Sequence, residues 1–70
     1  MPLSSLQDPA DLARAQGALE IVWARIRPLV AEDDRDREHI RLAFIVASYA
    51  LVAIDEDDLA ERAWDRYWKG

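Results

Sequence analysis

The chain has 70 residues, of which 51% are apolar, and carries a net charge of −5 from 14 acidic and 9 basic side chains. This length allows a single domain, residues 1–70, and the apolar content argues against a disordered chain. One histidine and no cysteine exclude disulfides and the ordinary zinc sites, so we expect no bound metal or cofactor. The acidic balance disfavours binding to nucleic acid phosphates.

The start of the chain carries neither a positively charged stretch nor an apolar run, so we expect no targeting signal and a frayed segment over residues 1–7. The longest apolar stretch, residues 42–54, is shorter than the about 20 residues that cross a membrane. We therefore expect a cytoplasmic protein without membrane attachment. All basic residues except Lys69 are Arg, which together with many Ala and Asp is typical of GC-rich bacterial or phage genes.

The first predicted helix covers residues 8–30. Asp8 is a preferred N-cap, and Pro9 fits the first helical position because its missing N–H is not needed there. Apolar residues recur at spacings of three and four, which indicates a helix that packs one stripe against its neighbours. These residues are Leu12, Ala15, Leu19, Val22, Ile26 and Leu29. Pro28 lacks the N–H that would bond four residues back, so it either kinks the last turn or ends the helix near Arg27.

The second predicted helix covers residues 34–54 and follows a charged link. Its sequence is apolar on nearly all sides, which predicts a central, buried helix. Three alanines share a face that would admit a close neighbour, and bulky residues lie roughly opposite. The alanines are Ala43, Ala47 and Ala50, and the bulky residues are Phe44, Ile45, Leu51 and Val52.

The third predicted helix covers residues 55–69 and begins with almost no loop. Asp55 is the expected N-cap, and Ile54 and Leu59 then occupy the two positions of a hydrophobic staple. We interpret the acidic run that starts at Asp55 as helix capping and not as a metal site, because consecutive helical side chains point in different directions. The aromatic residues of the apolar face are Trp64, Tyr67 and, at the edge, Trp68.

Residues suited to catalysis are scarce. The serines lack a nucleophile elbow and a convincing base, and there is no glycine-rich phosphate loop. His39 is isolated in the first turns of the second helix, where we expect it to be exposed or half-exposed. A helix-turn-helix interpretation is disfavoured because the third helix is acidic. We therefore expect a chain that is not an enzyme.

These features predict an all-α, three-helix unit with the second helix at its centre. A chain this short covers its apolar surface poorly, so we expect a homodimeric helical bundle that self-associates through the first and second helices. The expected function is that of a small interaction or regulatory module. The candidate interaction residues are Ile26, Phe44, Ile45, Leu51, Val52 and Trp68.

An alternative interpretation follows from the acidic charge. The chain would be an acidic inhibitor, similar in kind to an antitoxin or a nucleic acid mimic, that occludes a basic surface of a partner protein. Exposed acids would then carry the binding, and salt would weaken it. These acids are Asp33, Asp34, Asp36, Asp57 and Asp58. Self-association through apolar side chains would instead persist at high salt.

Overall fold

The computed structural model describes residues 8–69, which form three α-helices and two single turns of 3₁₀ helix. The α-helices are α1 (Pro9–Ile26), α2 (Arg35–Tyr49) and α3 (Glu56–Lys69), and the 3₁₀ turns are Arg27–Leu29 and Glu32–Asp34. No strand occurs in this part of the chain, so the all-α prediction is confirmed. The expected fraying of residues 1–7 lies outside the described residues. Within them, no helix is both long enough and apolar enough to traverse a bilayer.

Local chemistry sets both ends of α1. The backbone N–H of Ala10 donates to Oδ1 of Asp8 at 2.9 Å, which confirms the predicted N-cap. The α-helix ends at Ile26, and Pro28 lies in the 3₁₀ turn that follows. Pro28 was predicted either to kink the last turn or to end the helix near Arg27, and the structure shows the second outcome.

The second helix is shorter than predicted, since α2 ends at Tyr49 and not near Ile54. The chain then makes one more hydrogen-bonded turn, in which the N–H groups of Val52 and Ala53 both donate to the carbonyl of Tyr49. Residues 50–55 thus connect α2 to α3, where the sequence predicted almost no loop. The physical reason is the cap of α3, because Ile54 has to leave the helical path to take part in it.

Two aspartates fix the start of α3. Oδ1 of Asp55 accepts from the N–H of Asp58 at 2.8 Å, so the predicted N-cap is confirmed. Oδ2 of Asp58 accepts in return from the N–H of Ile54 at 2.9 Å and also pairs with Arg62. This reciprocal arrangement resembles a capping box. The predicted staple is wrong, because Ile54 is 83% exposed while Leu59 is fully buried.

One stripe from each helix meets in a small core. The largest fully buried side chains are Val22 and Ile26 of α1, Leu42 and Val46 of α2, and Leu59 of α3. Alanines fill most of the other buried positions, which lets the helices approach closely. Tyr67 is buried near the end of α3 and belongs to the same core.

The prediction that the second helix is central and buried is wrong. The interface between α1 and α3 is the most extensive of the three, and that between α1 and α2 is the smallest. Ala43 and Ala50 of the small-residue face are buried inside the unit and are not offered to another chain. A helix buries only the stripe that faces its neighbours, and three helices leave the opposite side of α2 uncovered.

Candidate functional site

The six predicted interaction residues do not form one surface. Ile26 is fully buried in the core, so its assignment to an interface is wrong. It is the last residue of the apolar stripe of α1, and that stripe packs against the other helices of the same chain. The spacing that suggested an interface is therefore the spacing of an ordinary core stripe.

Large apolar side chains are exposed on the side of α2 that faces away from the core. Phe44 is 60% exposed, and Ile40, one turn earlier on the same side, is 50% exposed. The half-buried Ala47 follows one turn later. These residues form a stripe that points away from the buried Leu42 and Val46.

Exposed apolar side chains continue into the turn after α2. Leu51 is 75% exposed, and Val52 and Ile54 are exposed as well. Because the chain keeps a hydrogen-bonded turn after Tyr49, Leu51 lies two helical turns beyond Phe44 on the same side. We name this surface the outer patch, which consists of Ile40, Phe44, Leu51, Val52 and Ile54.

Phe44, Leu51 and Val52 of the outer patch are among the interaction residues predicted from the sequence, whereas Ile40 and Ile54 are not. The sequence does indicate that Ile40 belongs to this surface, because it lies one helical turn before Phe44. Ile54 is assigned from sequence to a staple that does not form, and nothing in its local pattern indicates exposure.

Ile45 lies at the border between the outer patch and the core. It is half-buried and lines a cleft of about 250 Å³ together with Arg41, Phe44 and Arg66. A second cleft, of about 340 Å³, is lined by Tyr49, Arg62, Asp65, Arg66 and Lys69. The α2–α3 side of the molecule therefore carries mostly positive side chains, although the chain as a whole is acidic.

Trp68 is separate from the outer patch. Its ring contacts the rings of Trp64 and Tyr67 edge-on, with centroid distances of 5.5 and 5.0 Å. Trp68 follows Trp64 by one turn, and Trp64 lines a groove between α1 and α3. The structure thus places Trp68 at the margin of a second surface.

This second surface is a groove of about 530 Å³ between α1 and α3. Its apolar walls are formed by Ile21 and Val22 of α1 and by Ala60 and Trp64 of α3. Three acids of α3 and one arginine of α1 complete the lining: Asp57, Glu61, Asp65 and Arg25. We name this surface the acidic groove. Sequence reasoning missed it, because no local pattern gives the placement of α1 relative to α3.

The acids of the alternative interpretation are divided between different environments. Asp57 lies in the acidic groove. Asp34 forms an ion pair with an arginine one turn later at 3.0 Å, and Asp58 is held in the cap of α3. The acids that remain exposed near the start of α2 are Asp33 and Asp36. The acids do not combine into one continuous face.

A polar cluster fastens α2 to α3. The hydroxyl of Tyr67 donates to Oε1 of Glu38 at 2.7 Å, and Nη1 of Arg41 donates to the same oxygen at 3.3 Å. Nη2 of Arg41 donates to the backbone carbonyl of Tyr67 at 3.1 Å, which satisfies a carbonyl in the last turn of α3. The bond from Tyr67 lowers the pKa of Glu38, and burial raises the pKa of Tyr67. Both shifts favour an ionised Glu38 and a protonated Tyr67.

The remaining residues of a type that could act in catalysis or metal binding make packing contacts or stand apart from one another. His39 is half-buried and packs edge-on against Trp23, with ring centroids 4.9 Å apart, so the expected partial exposure is confirmed. Nowhere in residues 8–69 do three or more His, Asp or Glu side chains come together in a way that could hold a metal ion.

Compared with known protein families, curated proteins and solved structures, the chain matches none.

Proposed function

We propose that the chain is a small, non-enzymatic interaction module that associates with a second copy of itself through the outer patch. The observation that carries this proposal is a group of five large apolar side chains, each at least 50% exposed. Ile40, Phe44 and Leu51 share one side of the helical path, and Val52 and Ile54 lie in the turn that follows α2. The core is closed without them. Apolar surface of this kind is unfavourable in water, and covering it is favourable.

The size of the outer patch supports a dimer. The largest apolar patch on a monomeric protein measures about 300–600 Å², and a standard interface buries about 800 Å² from each partner. The outer patch presents five large side chains that are each at least 50% exposed, and pairing it with a second copy would cover both sets at once. The side chains of Arg41 and Ser48 lie on the same helix and would provide the polar rim of such an interface.

The spacing of the stripe supports an antiparallel pairing of two α2 helices about a twofold axis. Ile40, Phe44, Ala47 and Leu51 recur at intervals of four, three and four, which is the heptad pattern of paired helices. In this arrangement Phe44 of each copy packs beside the small Ala47 of the other copy, and Ile40 packs beside Leu51. The interface is self-complementary, as a closed symmetric dimer requires.

The proposed interface is smaller than the one expected from the sequence, which included the first helix as well as the second. Ile26 is in the core, and the other α1 residues of the predicted stripe pack within the chain, whereas Leu29 lies after α1 and is exposed. Trp68 lies beside the acidic groove. The proposed interface is therefore formed by α2 and the following turn, without α1.

Sedimentation equilibrium tests the proposal. Between about 1 and 100 µM we expect a mass of twice the 8.0 kDa of one chain. Phe44→Asp should give a monomer, because a charge at the centre of an apolar interface is costly to desolvate. Leu29→Asp is the matched control, since Leu29 is exposed on the segment after α1, outside the outer patch, and this variant should remain a dimer.

Because Phe44 is exposed in the single chain, the Phe44→Asp monomer should keep the helical circular dichroism of the wild type. A wild-type mass of one chain throughout the concentration range would contradict self-association and would make the outer patch a surface for a different protein. A dimer that survives Phe44→Asp would contradict the proposed interface.

A further inference from the structure

The acidic groove has the form of a site for one more helix. It is walled by α1 on one side and α3 on the other. Ile21 is partly exposed in its wall, and Trp64 is half-buried opposite. Grooves between two helices take amphipathic helices whose large apolar side chains serve as anchors.

The charge of the groove indicates the kind of occupant. Asp57, Glu61 and Asp65 follow one another at one-turn intervals along α3, about 5–6 Å apart. Across the part of the chain that the structure describes, none of these three carboxylates takes part in an ion pair. Arg25 is the basic residue of the lining, and its guanidinium lies over the ring of Trp64, 5.9 Å from the ring centre.

We infer that the acidic groove binds a basic amphipathic helix of a partner protein. Lys or Arg side chains one turn apart on such a helix meet the row of carboxylates, and its apolar side fits between Ile21 and Trp64. Complementary charge accelerates the encounter and fixes the register of the bound helix. Nucleic acid is repelled by the carboxylates, and a small polyamine leaves the apolar walls uncovered.

This site is distinct from the proposed dimer interface. The acidic groove is lined by α1 and α3, whereas the outer patch belongs to α2 and the following turn. One chain therefore holds a second copy and a basic partner at the same time. A variant that abolishes self-association should leave binding in the groove unchanged.

A fluorescein-labelled peptide of about 18 Lys and Leu residues, with Leu at helical spacing, is a suitable probe. Fluorescence anisotropy with the full chain should show saturable binding in the micromolar range. The triple variant Asp57→Asn, Glu61→Gln, Asp65→Asn should bind about tenfold more weakly, because three surface ion pairs are lost. The matched control is Glu32→Gln, Asp33→Asn, Asp36→Asn. It makes the same change in net charge at exposed positions outside the groove and should change the affinity less than about twofold.

Two further variants distinguish binding of the peptide in the acidic groove from attraction by the net charge of the chain. Ile21→Ser should weaken binding about threefold or more, because the apolar contact in the groove wall is reduced. Phe44→Asp should bind the peptide as the wild type does. A peptide of the same composition with its Leu residues dispersed over all sides should bind at least about tenfold more weakly.

Three outcomes would overturn the inference. Equal weakening by the two triple variants would show attraction by net charge alone. Loss of binding in Phe44→Asp would place the peptide on the outer patch. The absence of saturable binding to the wild type would show that the groove does not accept a basic helix.

Discussion

Glu38 looks in the sequence like an ordinary charged residue near the start of a helix. In the folded chain its side chain is only 20% exposed and accepts hydrogen bonds from Tyr67 of α3 and Arg41 of α2. Arg41 also lies over the Tyr67 ring, 4.6 Å from its centre. One carboxylate thus organises the contact between the first half of α2 and the last turn of α3.

Replacing Glu38 with Gln should destabilise the fold by about 1–2 kcal/mol at pH 7, because an uncharged acceptor forms weaker bonds with Tyr67 and Arg41. The lowered pKa of Glu38 sets the pH dependence. Such a carboxyl contributes stability above its unfolded pKa of about 4.3, and this contribution is lost as the pH falls through the lower folded value. The difference in Tm between the wild type and Glu38→Gln should therefore shrink below about pH 4.

Thermal unfolding followed by circular dichroism, between about pH 2 and pH 8, measures this difference. The pKa of Asp58 is also lowered, first by the N–H of Ile54 and then by Arg62, but Asp58 is present in both proteins and cancels in the comparison. Glu32→Gln, at an exposed position, is the control and should change the stability by less than about 0.5 kcal/mol. A Tm difference that stays constant over the whole pH range would contradict ionised Glu38 as its source.

At the scale of the helices, the boundaries that a cap defines could be predicted from the sequence. The Asp8 cap of α1 and the Asp55 cap of α3 each involve residues only two or three positions apart, so the local sequence contains the whole interaction. The end of α2 could not be predicted in this way. No glycine or proline stops it, and residues 50–53 are compatible with a helix, so the chain leaves the helical path only because it turns towards the next cap.

The N-cap of α3 should contribute measurably to the free energy of unfolding. Asp55→Ala should cost about 0.5–2 kcal/mol in urea unfolding, because the N–H of Asp58 loses its acceptor. Asp57→Ala is the control, since Asp57 is an exposed residue of the same first turn whose side chain is outside the cap, and it should cost less than about 0.5 kcal/mol. Equal costs for the two variants would mean that charge at the helix start, and not the cap bond, stabilises α3.

The side that α2 buries was harder to predict than the caps of α1 and α3. Residues 40, 44, 47 and 51 recur at the same three- and four-residue intervals as the true core stripe of α1. A helix that is apolar on two sides shows the same spacing of apolar residues on each side, so the spacing alone does not tell which side is buried. The packing of all three helices on one another determines that Ile26 is inside and Phe44 is outside.

At the scale of the whole molecule, the charges are separated in a way that the net value of −5 does not reveal. The α1–α3 side carries the carboxylates of the acidic groove, and the α2–α3 side carries most of the basic residues of α3. The helical period produces this separation, because acids and bases of α3 repeat every three or four residues on neighbouring sides of the same helix. The outer patch lies on a third side, where apolar groups predominate.

The two surfaces should respond to salt in opposite ways. The Debye length falls from about 10 Å at 0.1 M salt to about 3 Å at 1 M, so binding of the basic peptide to the acidic groove should weaken strongly. Self-association through the outer patch should persist, and it should tighten in sulfate, which favours burial of apolar surface. Sedimentation and anisotropy at both salt concentrations measure the two responses. A dimer that dissociates at 1 M salt would contradict an apolar interface.

The extensive contact between α1 and α3 has a consequence for the chain while it is being made. The ribosome releases α1 and α2 before α3, and these two helices share the smallest of the three interfaces. We therefore expect a nascent chain without α3 to bury too little apolar surface to offset the entropy of ordering it, and to be more open to proteases. When α3 leaves the exit tunnel, both earlier helices gain their main partner at once. We therefore expect resistance to proteolysis to appear only once α3 is present.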